Sequence, residues 1–279
     1  MQHARHVQQP ERPQGPERAR GASSAVGSAS AASSGMMESR DEQANERNRL
    51  LRALPGAEYA RLVPRLERIT VEALEVLAEA GQPLGHVYFP ETAIISVVRR
   101  MSDGTVIEAG TIGREGMAGI AVLAGEDWSS ATILGEVPGA CKRMAFDVLH
   151  RVLPELPRLD ALLRRFVLTF VNQVGQTAAC NGRHAIDQRC ARWLLMTHDQ
   201  VGADDFLLTH EVLAQMLAVR RASVTVAAGA LQRAGVIRYH RGRITILDRS
   251  GLEAVACECY SAVRANFDRL LGGAAPVEI

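Results

Sequence analysis

Between Leu208 and Asp248 the chain reads LTHEVLAQMLAVRRASVTVAAGALQRAGVIRYHRGRITILD, and few folds accommodate that order of signals. Thr209 places a hydroxyl where a helix begins, able to accept from a backbone N–H that has no partner within the helix. Val212, Leu213, Met216 and Leu217 repeat at the three- and four-residue spacing of one apolar helical face. Ala218-Val219-Arg220 makes a turn, and a second helix is expected over residues 221–234 with Val224, Ala227, Ala228 and Leu231 inward. Gly235 stands where a left-handed C-terminal cap belongs. Two short strands, Val236–Tyr239 and Ile244–Leu247, are expected to meet through Arg241-Gly242. Two helices joined by a tight turn and followed by a two-stranded wing form a module that sets its second helix into a DNA major groove.

Charge agrees with that expectation. Over residues 209–249 the seven arginines 220, 221, 233, 238, 241, 243 and 249 face only Glu211 and Asp248. Seven minus two is +5, inside a 279-residue chain of net charge +1. A locally basic module in a near-neutral protein marks the place where a polyanion docks.

Elsewhere the chain excludes more than it specifies. No run of about 18 apolar residues exists, so no membrane span is expected. The N-terminus has charges without an apolar segment, so no secretory leader is expected. The five cysteines, Cys141, Cys180, Cys190, Cys257 and Cys259, are odd in number and irregularly spaced, which argues against a disulfide framework and for a reducing cytoplasm. There is no Walker loop, dinucleotide fingerprint, zinc-ligand spacing or nucleophile elbow, so no enzyme is expected. An enzyme or small-molecule carrier that uses the winged helix only as an interaction module stays open as the alternative class.

Residues 1–44 read as a polar tail rich first in Gln, Arg and Pro and then in Gly, Ala and Ser, unable to bury enough apolar surface to order itself. Asn48–Leu54 and Glu58–Leu66 read as short helices, the second interrupted by Pro64. From about residue 70 short strands alternate with turns: Val87–Phe89 ended by Pro90, Ala93–Arg100 and Thr105–Thr111 around Ser102-Asp103-Gly104, then Ala131–Val137 paired with Ala140–Phe146 through Pro138-Gly139. After Pro157 a long helix follows, with Leu159, Leu162, Leu163, Phe166, Val167, Phe170, Val171 and Val174 as its apolar stripe. That stripe packs either on its own domain or on a second copy of the chain; the second is favoured here, with Leu159, Leu163, Phe166, Phe170 and Val174 in the dimer interface. Ile186–His198 and Leu252–Leu271 read as further helices.

The order of β domain, long helix and winged helix-turn-helix resembles the Crp/Fnr family of bacterial transcription regulators. The resemblance runs from about residue 45 to residue 260. It is carried by YFPETAIIS (88–96), GTIGREGMAG (110–119), DQRCARWLLMTHDQVG (187–202) and the 208–237 stretch. It implies an α+β chain: a cyclic-nucleotide-binding-like β jelly roll at 45–150, a dimerisation helix at 155–182 and a winged helix-turn-helix domain at 183–272. It implies a homodimer on palindromic double-stranded DNA, contacts with RNA polymerase and no membrane. Thr209 and Ser223 match phosphate-contacting positions and Arg221 matches a base-reading arginine, whose fork fits guanine O6 and N7. His210, Arg220, Val224, Thr225, Arg241 and Arg243 complete the expected DNA-binding set. Ala222 and Val226 depart from the charged residues of the catabolite activator in that family, so a different operator is implied.

A cyclic-nucleotide site needs a Glu for the ribose hydroxyl and an Arg for the cyclic phosphate. Gly113–Gly119 has Arg114 and Glu115 at the wrong spacing, and the 128–132 segment offers Ser where the Arg belongs, so cyclic AMP is not expected. No cysteine precedes Cys141, which excludes the N-terminal iron–sulfur arrangement of the family. A haem on His86 or Cys141 is not expected, nor is a metal on Cys257-x-Cys259, read as two helical positions on different faces. His184 and His198 are expected on the surface. No cofactor or metal is therefore assigned, and the effector is unknown.

Overall fold

A computed structural model describes residues 42–272 of the chain. The expectation for residues 1–41 lies outside them, and residues 42–44 already form a helical turn. Helix α1 (Arg49–Arg52) is short but anchored. The buried Asn48 caps it by accepting from Leu50 and Leu51 N–H (3.1 and 3.3 Å). Its amide also donates to Pro90 O and Gly116 O (3.0 and 2.9 Å). Helix α2 (Gly56–Leu62) tightens into a single 3₁₀ turn at Val63–Arg65, where Pro64 offers no N–H to continue it.

Seven strands follow: β1 (Glu67–Val71), β2 (Val76–Ala78), β3 (His86–Pro90), β4 (Ile94–Arg100), β5 (Val106–Ile112), β6 (Thr132–Val137) and β7 (Gly139–Ala145). They make two antiparallel sheets, ordered β2-β6-β4-β5 and β1-β7-β3. The β4–β5 hairpin turns where expected, with Gly104 at φ +85°. The expected pairing of residues 131–137 with 140–146 does not occur: β6 pairs with β2 and β4, and β7 with β1 and β3. Only Pro138 separates them, too little for a two-residue hairpin, so the chain crosses from one sheet to the other. Pro90 lies inside β3 and not after it, tolerated because β3 is an edge strand.

Helix α3 (Phe146–Val152) leads to the long helix α4 (Pro157–Arg183), which starts with proline at its first position. Leu159, Leu163, Phe166 and Phe170 of α4 are buried in one core with Phe89, Ile95, Ile112 and Met144 of the sheets, and Val174 packs against that core. Each such side chain contributes about 1.5–3 kcal/mol by leaving water. The assignment of these five residues to a dimer seam is therefore corrected: they form the face that α4 turns to its own β domain. Periodicity shows that a face will be buried, and not against what. The opposite face carries Leu168 and Val171, 52% and 58% exposed.

Helix α5 (Ile186–Val201) ends at Gly202, φ +69°. Beyond it come β8 (Asp205–Leu207), α6 (His210–Met216), α7 (Arg221–Arg233), β9 (Ile237–His240), β10 (Arg243–Ile246), α8 (Arg249–Val255) and α9 (Cys259–Phe267). The single terminal helix expected over 252–271 is broken: Ala256 is extended (ψ 151°), and Cys257 and Glu258 lie in the bend between α8 and α9. Among the described residues no helix is long and apolar enough to cross a membrane.

Candidate nucleic-acid interface

Helix α6 begins where the Thr209 hydroxyl accepts from Val212 N–H at 3.2 Å. Its apolar face, Val212, Leu213 and Met216, is buried with Trp193 and Leu194 of α5 and Val224, Ala227 and Leu231 of α7. The turn between α6 and α7 places Ala218 at φ +51°, a conformation that costs an L-residue about 1–2 kcal/mol and that no glycine in the sequence announces. Val219 N–H to Ala214 O (3.0 Å) and Ala218 N–H to Gln215 O (3.1 Å) hold it closed.

Helix α7 then divides cleanly. Val224, Ala227, Ala228 and Leu231 are buried, while Arg221, Ala222, Thr225 and Val226 face outward with Arg220 just before them. Val224 is wholly buried, so its place among the DNA-contacting residues is withdrawn: it is a core residue one position from the functional face. Ser223 is half-buried at the helix start. The outward positions that the expected set lacked are Ala222 and Val226, the latter a valine 70% exposed, which the same 3.6-residue period locates opposite the core.

The wing is three-stranded, not two-stranded. The sheet order is β8-β10-β9, and Phe206 of β8 is buried in the domain core. Arg241 (φ +47°) and Gly242 (φ +76°) form the wing tip, the paired positive φ of a tight hairpin. Leu208 N–H donates to Gly242 O at 2.8 Å, fixing the tip beside the start of α6. His210 stacks on Tyr239 of the wing, ring centroids 4.3 Å apart at 12°, and its Nδ1 lies 3.2 Å from Thr225 Oγ1. Desolvation first, and the Arg221 charge second, lower the pKa of His210, which keeps the ring neutral. His210 thus joins α6, α7 and the wing, so its main role is positional.

The basic residues separate into two kinds. Arg220, Arg221 and Arg241 are exposed, and none forms an ion pair among the described residues. Arg243 pairs with Asp205 (3.1 Å). Arg249 is consumed internally: it bridges Asp199 (2.7 Å) and Glu253 (3.0 Å) and reaches His198 Nδ1 (2.6 Å), clamping α5 to α8. Its charge is not offered to a ligand. His198, also 2.7 Å from Asp204, and His184 are largely buried side chains, against the expected surface placement.

The interface is mechanically tied to the β domain. Ser96 of β4 contacts Met216 Sδ of α6 at 3.5 Å, and α5 and α6 pack on β4 and β5. Glu115 is buried, accepting from Gly113 N–H (2.9 Å) and from Gln200 Nε2 of α5 (3.1 Å). Arg114 donates to Asp199 O (2.7 Å). The Gly113–Gly119 segment, whose Arg114 and Glu115 have the wrong spacing for a cyclic nucleotide, is therefore a docking loop for α5.

Residues 188–255 match the Crp-like helix-turn-helix domain. A transcriptional regulator of the CRP family from Thermus thermophilus is 22% identical, with TM-score 0.55 over 68% of this chain and 96% of that one. FixK2 from Bradyrhizobium japonicum is 14% identical, with TM-score 0.59 over 69% and 98%. The c-di-GMP responsive global regulator CLP of Xanthomonas campestris is 13% identical, with TM-score 0.56 over 69% and 99%. At these identities the likeness is one of fold. No curated protein sequence matches the chain. Residues 188–255 are thus similar to a Crp-like helix-turn-helix domain, and the described chain around them shares the fold of these regulators.

Proposed function

We propose that the protein is a homodimeric transcription regulator that reads a palindromic operator with the outward face of α7. The observation that carries this is the division of that helix: its inner face is core, while Arg220 and Arg221 stand exposed on a rigid support, with Thr225 beside them held by His210. Arg221 serves as the base reader, because a guanidinium fork matches guanine O6 and N7. Thr209, Ser223, Arg220 and Arg241 hold phosphates, and Arg243 does so less strongly because Asp205 already engages it. Ala222 and Val226 offer methyl groups where thymine methyls are read.

The second copy docks on the exposed face of α4, where Leu168 and Val171 are followed at helical spacing by Gly175 and Ala178. Small residues there allow close approach of two helices, and two recognition helices related by a twofold axis match palindromic DNA. A cavity of about 290 Å³ lies beneath that face, lined by Val97, Ile133, Phe170, Val171 and Val174 with Arg99 as its one charged group. No carboxylate lines it, which supports an apolar effector over cyclic AMP. Occupancy would act through α4 and the Glu115–Gln200 link, as a shift between helix orientations without a chemical step. The test is paired. Arg221→Ala should abolish sequence preference while leaving the fold intact, and Leu168→Glu with Val171→Glu should give monomers by sedimentation; failure of either removes that half of the proposal.

A further inference from the structure

Four side chains that the DNA-binding role does not use converge behind the interface. Cys180 and His184 lie one turn apart at the end of α4, where His184 N–H still donates to Cys180 O at 3.0 Å. Cys257 lies in the α8–α9 bend and Cys259 opens α9. One ligand atom from each of the four falls within 4.8 Å of the other three. Cys180 Sγ is 3.5 Å from Cys257 Sγ, and Cys259 Sγ is 3.5 Å from His184 Nδ1. All three thiols are free and buried.

Three thiolates and an imidazole are the donor set of a closed tetrahedral zinc site. Metal–sulfur and metal–nitrogen lengths of about 2.3 and 2.1 Å place sulfur–sulfur and sulfur–nitrogen neighbours roughly 3.8 and 3.6 Å apart, and the two 3.5 Å separations lie within about 0.3 Å of those. A four-iron cluster binds its cysteines through different irons and spreads them further. The surroundings fit as well. His184 Nε2 is 3.2 Å from Glu258 Oε1, which leaves Nδ1 facing the sulfurs, the carboxylate–histidine pairing common around zinc. Gln176 Nε2 donates to Cys259 Sγ at 3.0 Å. Arg189 and Arg192 of α5 are buried, and neither makes a carboxylate ion pair among the described residues. Arg189 donates to Leu217 O and Arg192 to Thr177 Oγ1 (3.0 Å), neutral acceptors that leave both charges uncompensated by these bonds. Buried guanidiniums need a compensating negative charge, and three thiolates around a dication leave one.

We propose that Cys180, His184, Cys257 and Cys259 hold one Zn²⁺ ion, which pins the end of the long helix to the α8–α9 bend beside the entry helix of the DNA-binding domain. On binding, three thiol protons leave and the imidazole coordinates as the neutral ring, so affinity rises with pH. The site is independent of the operator and of the dimer face.

The experiment uses the full chain, purified reduced and without oxygen, stripped with chelator, and titrated with Co²⁺ and then Zn²⁺. The expected result is one Co²⁺ per chain with thiolate charge-transfer and tetrahedral d–d absorption, displaced by Zn²⁺, and a higher melting temperature when loaded. Cys259→Ser and His184→Ala should each weaken binding by roughly 100-fold or more, and Glu258→Gln by roughly tenfold. Cys141→Ala, remote in the β domain, should bind as the parent does. Absence of saturable uptake by the folded parent chain overturns the proposal, as does an octahedral spectrum, an iron–sulfur chromophore in its place, or full uptake by a Cys180/Cys257/Cys259→Ser triple variant. The parent titration needs no variant to fold.

Discussion

Arg220-Arg221 and Arg114-Glu115 look alike in the sequence, as charged neighbours among small residues at the edge of a structural element. The molecule uses them in opposite ways. Around Arg114-Glu115 every polar group faces inward: Glu115 takes Gly113 N–H and Gln200, Arg114 takes a backbone carbonyl of α5, and Gly116 leaves room for the Phe166 ring. Around Arg220-Arg221 the core lies on the other side of the helix, and the guanidiniums face solvent without an ion-pair partner among the described residues. A charged motif whose valences are filled from within is committed to the fold, and one whose valences are left open is available to a ligand.

That contrast is testable, beginning with its largest effect. Arg221→Ala should cost roughly 2–6 kcal/mol of operator affinity in a dimer, from about 1–3 kcal/mol per bidentate base contact. Its melting temperature should hardly move. Equal loss on specific and random DNA would make Arg221 a phosphate contact only. Gly116→Ala should do the reverse. Its methyl would stand 2.3 Å from the Phe166 ring, an overpacking that costs about 1–3 kcal/mol of stability, with DNA specificity retained by the folded fraction. Unchanged thermal stability would show that the loop is not locked on α4.

A third test uses pH. Glu108 is buried beside Glu136 of β6, with Ser96 of β4 and Arg192 and Trp193 of α5 around it. Burial pushes its pKa up from the ordinary 4.5 to about 7, and burial with the neighbouring Glu108 charge raises Glu136 as well. Between pH 4.5 and 7 the folded Glu108 carboxyl holds a proton that the unfolded one has lost, so its contribution to stability falls as pH rises and is spent above about 7, while Glu136, raised as well, adds a loss of the same sign. Glu108→Gln should flatten the melting temperature across that window; an unchanged slope would place the titration elsewhere. Next, Arg241→Ala should reduce the slope of log affinity against log salt by about one per subunit, and Arg243→Ala by less. The smallest effect belongs to Val226→Ala, within about 0.5 kcal/mol of stability and visible only as altered preference at one base step.

How much of this was legible follows from which signals are local. The α6–turn–α7 order, the Gly235 cap and the wing tip at Arg241-Gly242 were readable because capping, period and positive φ are written in adjacent residues. The burial of Val224 is legible too, because the same period that places Ala227 and Leu231 in the core places it there. The choice between Leu159–Val174 as a dimer seam and as a core face was not legible, because one apolar stripe fits either partner. Nor was the crossing of β6 and β7 into separate sheets, which depends on pairing β7 with β1 and β6 with β2, strands 55 to 76 residues distant. The thiol cluster was hidden for the same reason: 77 residues separate Cys180 from Cys257, and an assumed helix placed Cys257 and Cys259 on different faces until Ala256 proved extended.

The central claim, a twofold-symmetric reader of DNA built on α7, is tested most directly by selecting random-sequence duplexes with the purified protein and sequencing what is retained. The account predicts an inverted repeat with half-sites about 10 bp apart centre to centre, lost with Arg221→Ala. A solitary half-site, or retention without enrichment that disappears as salt rises, would contradict it.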